Sequence, residues 1–347
     1  MHRFAALLIA LAAGIAAAAA PVGSALDRPP LAARQPKHAV LLGAALAGER
    51  IVALGERGIV VLSDDGGKTW RQAKGPVSTT LTALRFADAK TGYAVGHGGV
   101  VLGTLDGGQT WSRRLDGRRI AELALQAAQT SGDAAALKEA QRLVADGPDK
   151  PLLDLWVFDA QRVLVVGAYG LAFETTDAGK NWTPWMARLD NPKGLHLYAV
   201  RAAGESLLLA GEQGLVLQSA DAGRHWQRLA LPYKGSFFTA EMRSANDWLV
   251  AGLRGNAWRT ADAGASWQPL AAPMPVSITG SAAGPAGALW FVNQAGFVLA
   301  LRDGALVPLN RAPLPPLNGV LALADGRLLA LSIHGALPVP AAKDDAR

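Results

Sequence analysis

Five carboxylates stand in one repeated setting. Asp65, Asp106, Asp177, Asp221 and Asp262 each follow a Ser or Thr by two positions, precede a Gly by two and precede a Trp by five: Ser63 to Trp70, Thr104 to Trp111, Thr175 to Trp182, Ser219 to Trp226 and Thr260 to Trp267. A carboxylate beside a hydroxyl suits general acid–base work, and paired carboxylates suit glycoside hydrolysis. Five copies at equivalent places in a repeated architecture cannot converge on one reacting centre, so the spacing points to a turn. The Asp accepts hydrogen bonds from backbone N–H groups of its own turn, the glycines supply positive φ, and the Trp covers the turn and buries its ring between sheets. Six histidines, His2, His38, His97, His196, His225 and His334, show no pair at metal-ligand spacing, and there is no cysteine. Disulfides, thiol catalysis, a lipoprotein anchor and a zinc site are therefore not expected, nor is any cofactor or catalytic residue.

The elements that carry these turns repeat with them. Inner strands are expected to begin near His38, Leu81, Leu152, His196, Phe237, Ser277 and Leu317, which makes seven units, mostly about 40 residues long, the length of a four-stranded propeller blade. One such sheet cannot bury both its faces alone, so the units must close into a ring. The expected fold is all-β, a seven-bladed β-propeller over residues 38–340. Its last two units are worn: Asp303-Gly304 keeps only a remnant of the motif, and the seventh unit ends near Pro338. The lead-in, 21–37, is expected to close that last blade with a strand around Leu31 to Lys37.

Between blades 2 and 3, over 113–150, the period changes from two to helical. Ile120, Leu123, Ala124, Ala127 and Ala128 share one helix face, and a second helix capped by Asp133 groups Leu137, Ala140 and Val144. Gly147-Pro148 ends this helical hairpin insertion. At the other extreme, Met1 to Ala20 reads as a signal peptide, with His2 and Arg3 before an apolar core and a run of alanines. A periplasmic protein follows, with 341–347 as a tail. The formal charge of +6 is too small to imply nucleic acid without a focused patch.

Two groups of residues are candidates for binding. The turns joining second and third strands keep small framing residues while their tips vary, as a binding face does. These tips include Arg57, His97, Tyr169, Gln213, Arg254 and His334. At the start of the insertion Arg113, Arg114, Arg118 and Arg119 cluster with only Asp116 opposing them, which suits an acidic partner or an anionic membrane surface.

Leu84-Arg85-Phe86-Ala87-Asp88, Thr91-Gly92-Tyr93-Ala94-Val95-Gly96, Gly99-Val100-Val101-Leu102 and Thr104 to Trp111 together make a nearly complete repeat of a known kind. It resembles the Asp-box, or BNR, repeat of sialidases and other glycosidases, and more fully that of the photosystem II stability and assembly factor family. The resemblance runs from Ala39 to about Gly335 and is good in the first five units; the helical insertion and the worn final repeats depart from the photosynthetic members. It implies a seven-bladed propeller on the lumenal or periplasmic side, without catalysis, that assists assembly of a membrane complex by contact with a protein client, and a monomer is expected. The family's arginine patch carries over to Arg85, Arg201 and Arg243, at the ends of inner strands near the Asp motifs. A turn carboxylate pairing each of them for stability is the other expectation for these arginines.

Two further readings remain. A sialidase-like glycoside hydrolase would need an arginine triad with tyrosine and glutamate in the central cavity. Glu241 is the best isolated acid, while Tyr93 sits within a repeated strand. An envelope scaffold, or an accessory protein of a transporter, differs from the assembly factor only in its client.

Overall fold

The computed structural model describes residues 23–340. The expected signal peptide and the 341–347 tail lie outside the described residues. The chain forms seven antiparallel sheets in sequence order, six of four strands and a seventh of three. Their inner strands are Leu41–Ala47, Leu81–Phe86, Leu152–Val157, Leu197–Ala203, Phe237–Met242, Ile278–Ala283 and Leu317–Ala322. Each inner strand packs on the next, and that of blade 7 packs on that of blade 1, closing a seven-bladed β-propeller. One side-chain clasp recurs at these joints: Thr82 Oγ1 donates to Leu152 O at 2.8 Å, Thr279 Oγ1 to Leu317 O at 2.6 Å and Asn318 Nδ2 to Leu41 O at 2.9 Å.

The second and third strands of a blade lie between two neighbouring sheets, so both their faces are covered and alternation disappears. Val60–Ser63 and Val163–Gly167 are buried at every position. Core clusters accordingly straddle blade pairs: Val52, Leu54 and Leu62 of blade 1 meet Leu81, Leu102 and Trp111 of blade 2, and Val95 and Val101 of blade 2 meet Phe173 and Trp182 of blade 3. The motif Trp of each blade thus packs towards the preceding blade. The outermost strands after it are short, two residues in blades 1, 3, 4 and 5.

The helical hairpin is present as α1, Gly117–Ser131, and α2, Ala134–Asp146, with Asp116 and Asp133 accepting backbone N–H groups as N-caps. Ile120, Ala124 and Ala128 are buried as the spacing predicts. In α2, however, Leu143 packs inward and Val144 is 47% exposed, because the seam with α1 follows Leu137, Ala140 and Leu143.

The lead-in departs from expectation. Segment 31–37 adds no strand to blade 7, whose outer strand is its own Gly335–Pro338. The lead-in instead crosses the outside of blade 1, where Ala33 N donates to Gln72 Oε1 at 2.7 Å and Gln72 Nε2 donates to Leu31 O at 3.0 Å. Pro36 removes an N–H group that a ladder would need, and side-chain bonds from Gln72 stand in its place.

Candidate binding site

The ring has two rims. The third strand of each blade runs from the turn that follows the second strand, on the upper rim, to the Asp motif on the lower rim.

On the lower rim the five motifs share one hydrogen-bond plan. In blade 3, Thr175 Oγ1 accepts from Gly179 N at 2.9 Å and donates to Asp177 Oδ1 at 2.9 Å. Asp177 Oδ1 also accepts from Asn181 N at 2.8 Å, its Oδ2 accepts from Asn181 Nδ2 at 2.7 Å, and Trp182 Nε1 donates to Gly179 O at 3.3 Å. Blades 1, 2 and 4 repeat this plan with Thr69, Thr110 and His225 in place of Asn181. Blade 5 keeps the Asp262 bonds to Ser266, but Trp267 Nε1 is buried without a partner.

Hydrogen bonds from Asn181 hold the Asp177 carboxyl at about 2, and bonds from Ser266 hold Asp262 at about 2. The Thr69 bonds and the His225 bonds push Asp65 and Asp221 down as well. Carboxylates so engaged do not exchange protons near neutral pH. The motif Gly has a steric duty too: Gly223 has φ 88°, and a Cβ there would lie 2.4 Å from the Trp185 ring of blade 3.

The central channel has a cavity volume of about 640 Å³. Every inner strand carries a register shift near its upper end, after its first residue. Such bulges turn a side chain out of the ladder. The second residues, Leu42, Thr82, Leu153, Tyr198, Phe238, Thr279 and Asn318, line the channel, one from each blade.

Lower in the channel Arg201 is buried between Asp154 Oδ2, at 2.5 Å, and Glu241 Oε2, at 3.6 Å. Glu241 Oε1 accepts from Ser281 Oγ at 2.7 Å. Burial opposes the charge on Arg201, but Asp154 and Glu241 outweigh it and raise its pKa. Arg85 donates to Leu155 O at 2.8 Å, approaches Asp154 at 3.8 Å and stacks over Trp156. Burial and the neighbouring Arg201 push it down to about 10.

The placement of these arginines differs from the sequence expectation in two ways. Arg85 and Arg201 are paired by Asp154 and Glu241 of neighbouring inner strands rather than by turn carboxylates. Arg243 does not share their register. Arg85, Arg201 and Glu241 stand opposite Tyr93, Leu208 and Leu249 at matching rungs, whereas Arg243 lies beyond its strand and pairs with Asp247 at 3.2 Å. Glu241 is therefore an ion-pair partner, and Tyr93 Oη is engaged with Ala160 O at 2.6 Å.

The upper rim repeats a backbone shape instead of a side-chain plan. Arg57, Tyr169, Gln213 and Arg254 sit at the centre of single-turn 3-10 segments with φ between 53° and 57°, each followed by a glycine of positive φ. All four, with His97 and His334, are exposed. Left-handed φ costs an L-residue about 1–2 kcal/mol, and it turns each side chain away from the blade. The turns bring these residues to one rim, but on different blades.

Blades 3 to 5 add an aromatic run that sequence reading missed. Tyr169 meets His196 at 4.8 Å between ring centroids, His196 meets Tyr198 at 6.1 Å, and Tyr198 meets Phe238 at 5.3 Å. Lys150 Nζ lies 5.1 Å from the Tyr169 ring. Aligning the second residues of the inner strands would have found Tyr198 and Phe238; His196 emerges only when the blade 4 linker folds beside Tyr169, whose N–H donates to His196 Nδ1 at 2.9 Å.

The arginine cluster at the insertion is opposed by more than Asp116. Asp27 of the lead-in accepts from Arg113 Nη1 at 3.1 Å and from Arg118 Nη1 and Nη2 at 3.1 and 2.6 Å. Arg119 pairs with Glu122 at 2.9 Å, and Arg114 Nε is buried without a partner. Asp27 was out of view because it lies 86 residues before Arg113.

A family model described as photosynthesis system II assembly factor YCF48 matches residues 63–141 and 133–304, together more than half of the chain. No protein of curated function matches it by sequence. Among solved structures, YCF48 from Cyanidioschyzon merolae is 14% identical with a TM-score of 0.64, over 87% of this chain and 96% of that one. A GH74 xyloglucanase from Xanthomonas campestris is 13% identical with a TM-score of 0.64, and the chain covers 54% of it. A YCF48 bound to D1 peptide is 24% identical with a TM-score of 0.45, over 52% of this chain and 59% of that one. At these identities the two fuller matches establish the propeller fold alone.

Proposed function

Since the chain belongs to the photosynthesis system II assembly factor YCF48 family, we propose that it is a non-catalytic propeller that binds a protein client during assembly or operation of a membrane complex. We place it on the periplasmic side, exported by the 1–20 segment, and assign the client to the upper rim. The observation that supports this most is the division of labour between rims. The lower carboxylates and the channel pair Asp154 and Glu241 are engaged in internal bonds, while Arg57, Tyr169, Gln213 and Arg254 are exposed on turns that repeat in shape and vary in chemistry. Side chains that the fold leaves exposed are those available to a partner.

A glycosidase would require two free carboxyls across the substrate. Glu241 and Asp154 instead share Arg201, and removing either charge would leave that buried arginine with only one of its two carboxylate partners.

The test is a crosslinking pull-down from membranes with the unchanged chain and a variant carrying Tyr169→Ala, Gln213→Ala and Arg254→Ala. A membrane protein captured by the first and lost from the second is the expected result. Equal capture by both overturns the upper-rim assignment. Turnover of a fluorogenic glycoside, abolished by Glu241→Gln, overturns the non-catalytic reading.

A further inference from the structure

We infer that the cleft between the blade 1 to blade 2 linker, the upper turn of blade 2 and the first turn of α1 is a peptide-recognition site. It fits a short turn in which an apolar residue is followed by a carboxylate, and Ala25-Leu26-Asp27 of the lead-in occupies it from within the same chain. The competing occupant is a segment of the protein client with that chemistry, and this part of the inference rests on the proposed function.

Three kinds of contact define the cleft. The first is an apolar seat. Leu26 is 4% exposed and joins the core between blades 1 and 2 beside Val77 and Val100. The seat exists because blade 2 carries glycine where blades 1, 3, 4 and 5 carry Arg57, Tyr169, Gln213 and Arg254. Gly98 has φ 72°, and a Cβ there would come within 3.0 Å of the Leu26 side chain.

The second kind addresses the peptide backbone. Ser78 N donates to Ala25 O at 2.8 Å, and Arg113 Nη1 donates to Leu26 O at 2.9 Å. Both bonds go to main-chain carbonyls whatever the side chains, and they hold a turn that Asp27 N closes by donating to Ser24 O at 2.9 Å. The third reads charge: the Arg118 fork takes both oxygens of Asp27, and Arg113 adds a further bond. Fork-to-carboxylate geometry selects Asp or Glu over a neutral residue. These arginines hold the Asp27 carboxyl at about 2, so its charge persists at neutral pH.

The occupant is built to leave. Residues 23–35 belong to no strand or helix, so their release opens no sheet. Asp27, Arg113 and Arg118 are roughly half-exposed, and their pairing is screened by salt and exchanges readily with another carboxylate. The tether gives the lead-in a local concentration on the order of millimolar. A free segment of equal quality is therefore excluded, while a client held also at the upper rim can displace it.

The experiment uses the full chain and a fluorescent peptide copying residues 23–30, read by anisotropy. A Leu26→Ala, Asp27→Asn variant is expected to bind it about tenfold or more tighter than the unchanged chain, in line with loss of an intramolecular competitor. Adding Arg118→Glu, or placing alanine at the peptide's leucine, should abolish binding. No binding by the double variant, with its melting intact, overturns the site, as does equal binding by variant and unchanged chain.

A second measurement does not depend on the double variant folding. Gly23→Cys places a dye where nothing lies within 4 Å, in a chain with no other cysteine. Excess peptide should release the lead-in and change the signal; no change at saturating excess also overturns the site. Peptide binding with a failed client pull-down removes the client and keeps the cleft. Client capture without peptide binding does the reverse.

Discussion

The two rims of this propeller repeat different things. The lower rim repeats side chains: a hydroxyl, an Asp, a Gly and a Trp, their polar atoms in blades 1 to 4 committed to neighbours within four residues. The upper rim repeats only backbone, a left-handed residue followed by a left-handed glycine, and leaves the side chain outside. Repetition of chemistry marks what builds the ring, and repetition of conformation with varied chemistry marks what the ring presents. The channel belongs with the lower rim in this respect, since its charges neutralise each other.

The sharpest way to break this contrast is to remove a lower-rim aromatic. Trp182→Ala empties a site that is 6% exposed between blades 2 and 3 and should lower unfolding free energy by about 3–5 kcal/mol. Tyr169→Ala on the upper rim, 57% exposed, should stay within about 0.5 kcal/mol in the same denaturant titration. Equal losses would erase the distinction.

Acid tests the lower rim as a set. Asp65, Asp106, Asp177, Asp221 and Asp262 all have carboxyl pKa values lowered on folding, so each contributes stability above its unfolded value of 3.8. That contribution is lost as pH falls through the folded value. The melting temperature should hold steady between pH 7 and 5, to the extent these groups control it, and fall from about pH 4 towards 2. A fall beginning near pH 6 would point to histidines instead.

The smallest effect sharpens the comparison most. Ala222 takes φ 59° at a motif position where blades 1 and 2 have Gly66 and Gly107. Ala222→Gly relieves a left-handed alanine and should stabilise by about 0.5–1 kcal/mol. Gln213→Gly on the upper rim relieves the same strain, so it should stabilise similarly while weakening client capture. A stabilised variant with lost binding would show strain kept for presentation.

What could be read in the chain divides along sequence distance. The Asp-motif turns, the seven units and the Asp133 helix cap were legible because each rests on bonds or periods spanning a few residues. The position of the arginines was half legible: their strands were foreseen, but Arg201 meets Asp154 across 47 residues and Glu241 from the next blade. Arg243 lies six residues past the start of its strand, whereas Arg85, Arg201 and Glu241 each lie four past theirs behind the same bulge, so it is Glu241 that takes that rung. Leu26 gave no signal at all, since a leucine among prolines and alanines has no period to betray its burial.

The sequence by itself determined the ring: repeated local turns, each closed by its own hydrogen bonds, dictate the blade, and blades with two apolar faces must stack. Only the tertiary structure decided which charges face one another in the channel, that the lead-in lies across blades 1 and 2 rather than completing blade 7, and that Asp27 answers the arginines of the insertion. The physical reason is common to these cases. Ion pairs and packing seats form between segments brought together by closure of the ring, and nothing in the local pattern of either segment records the other.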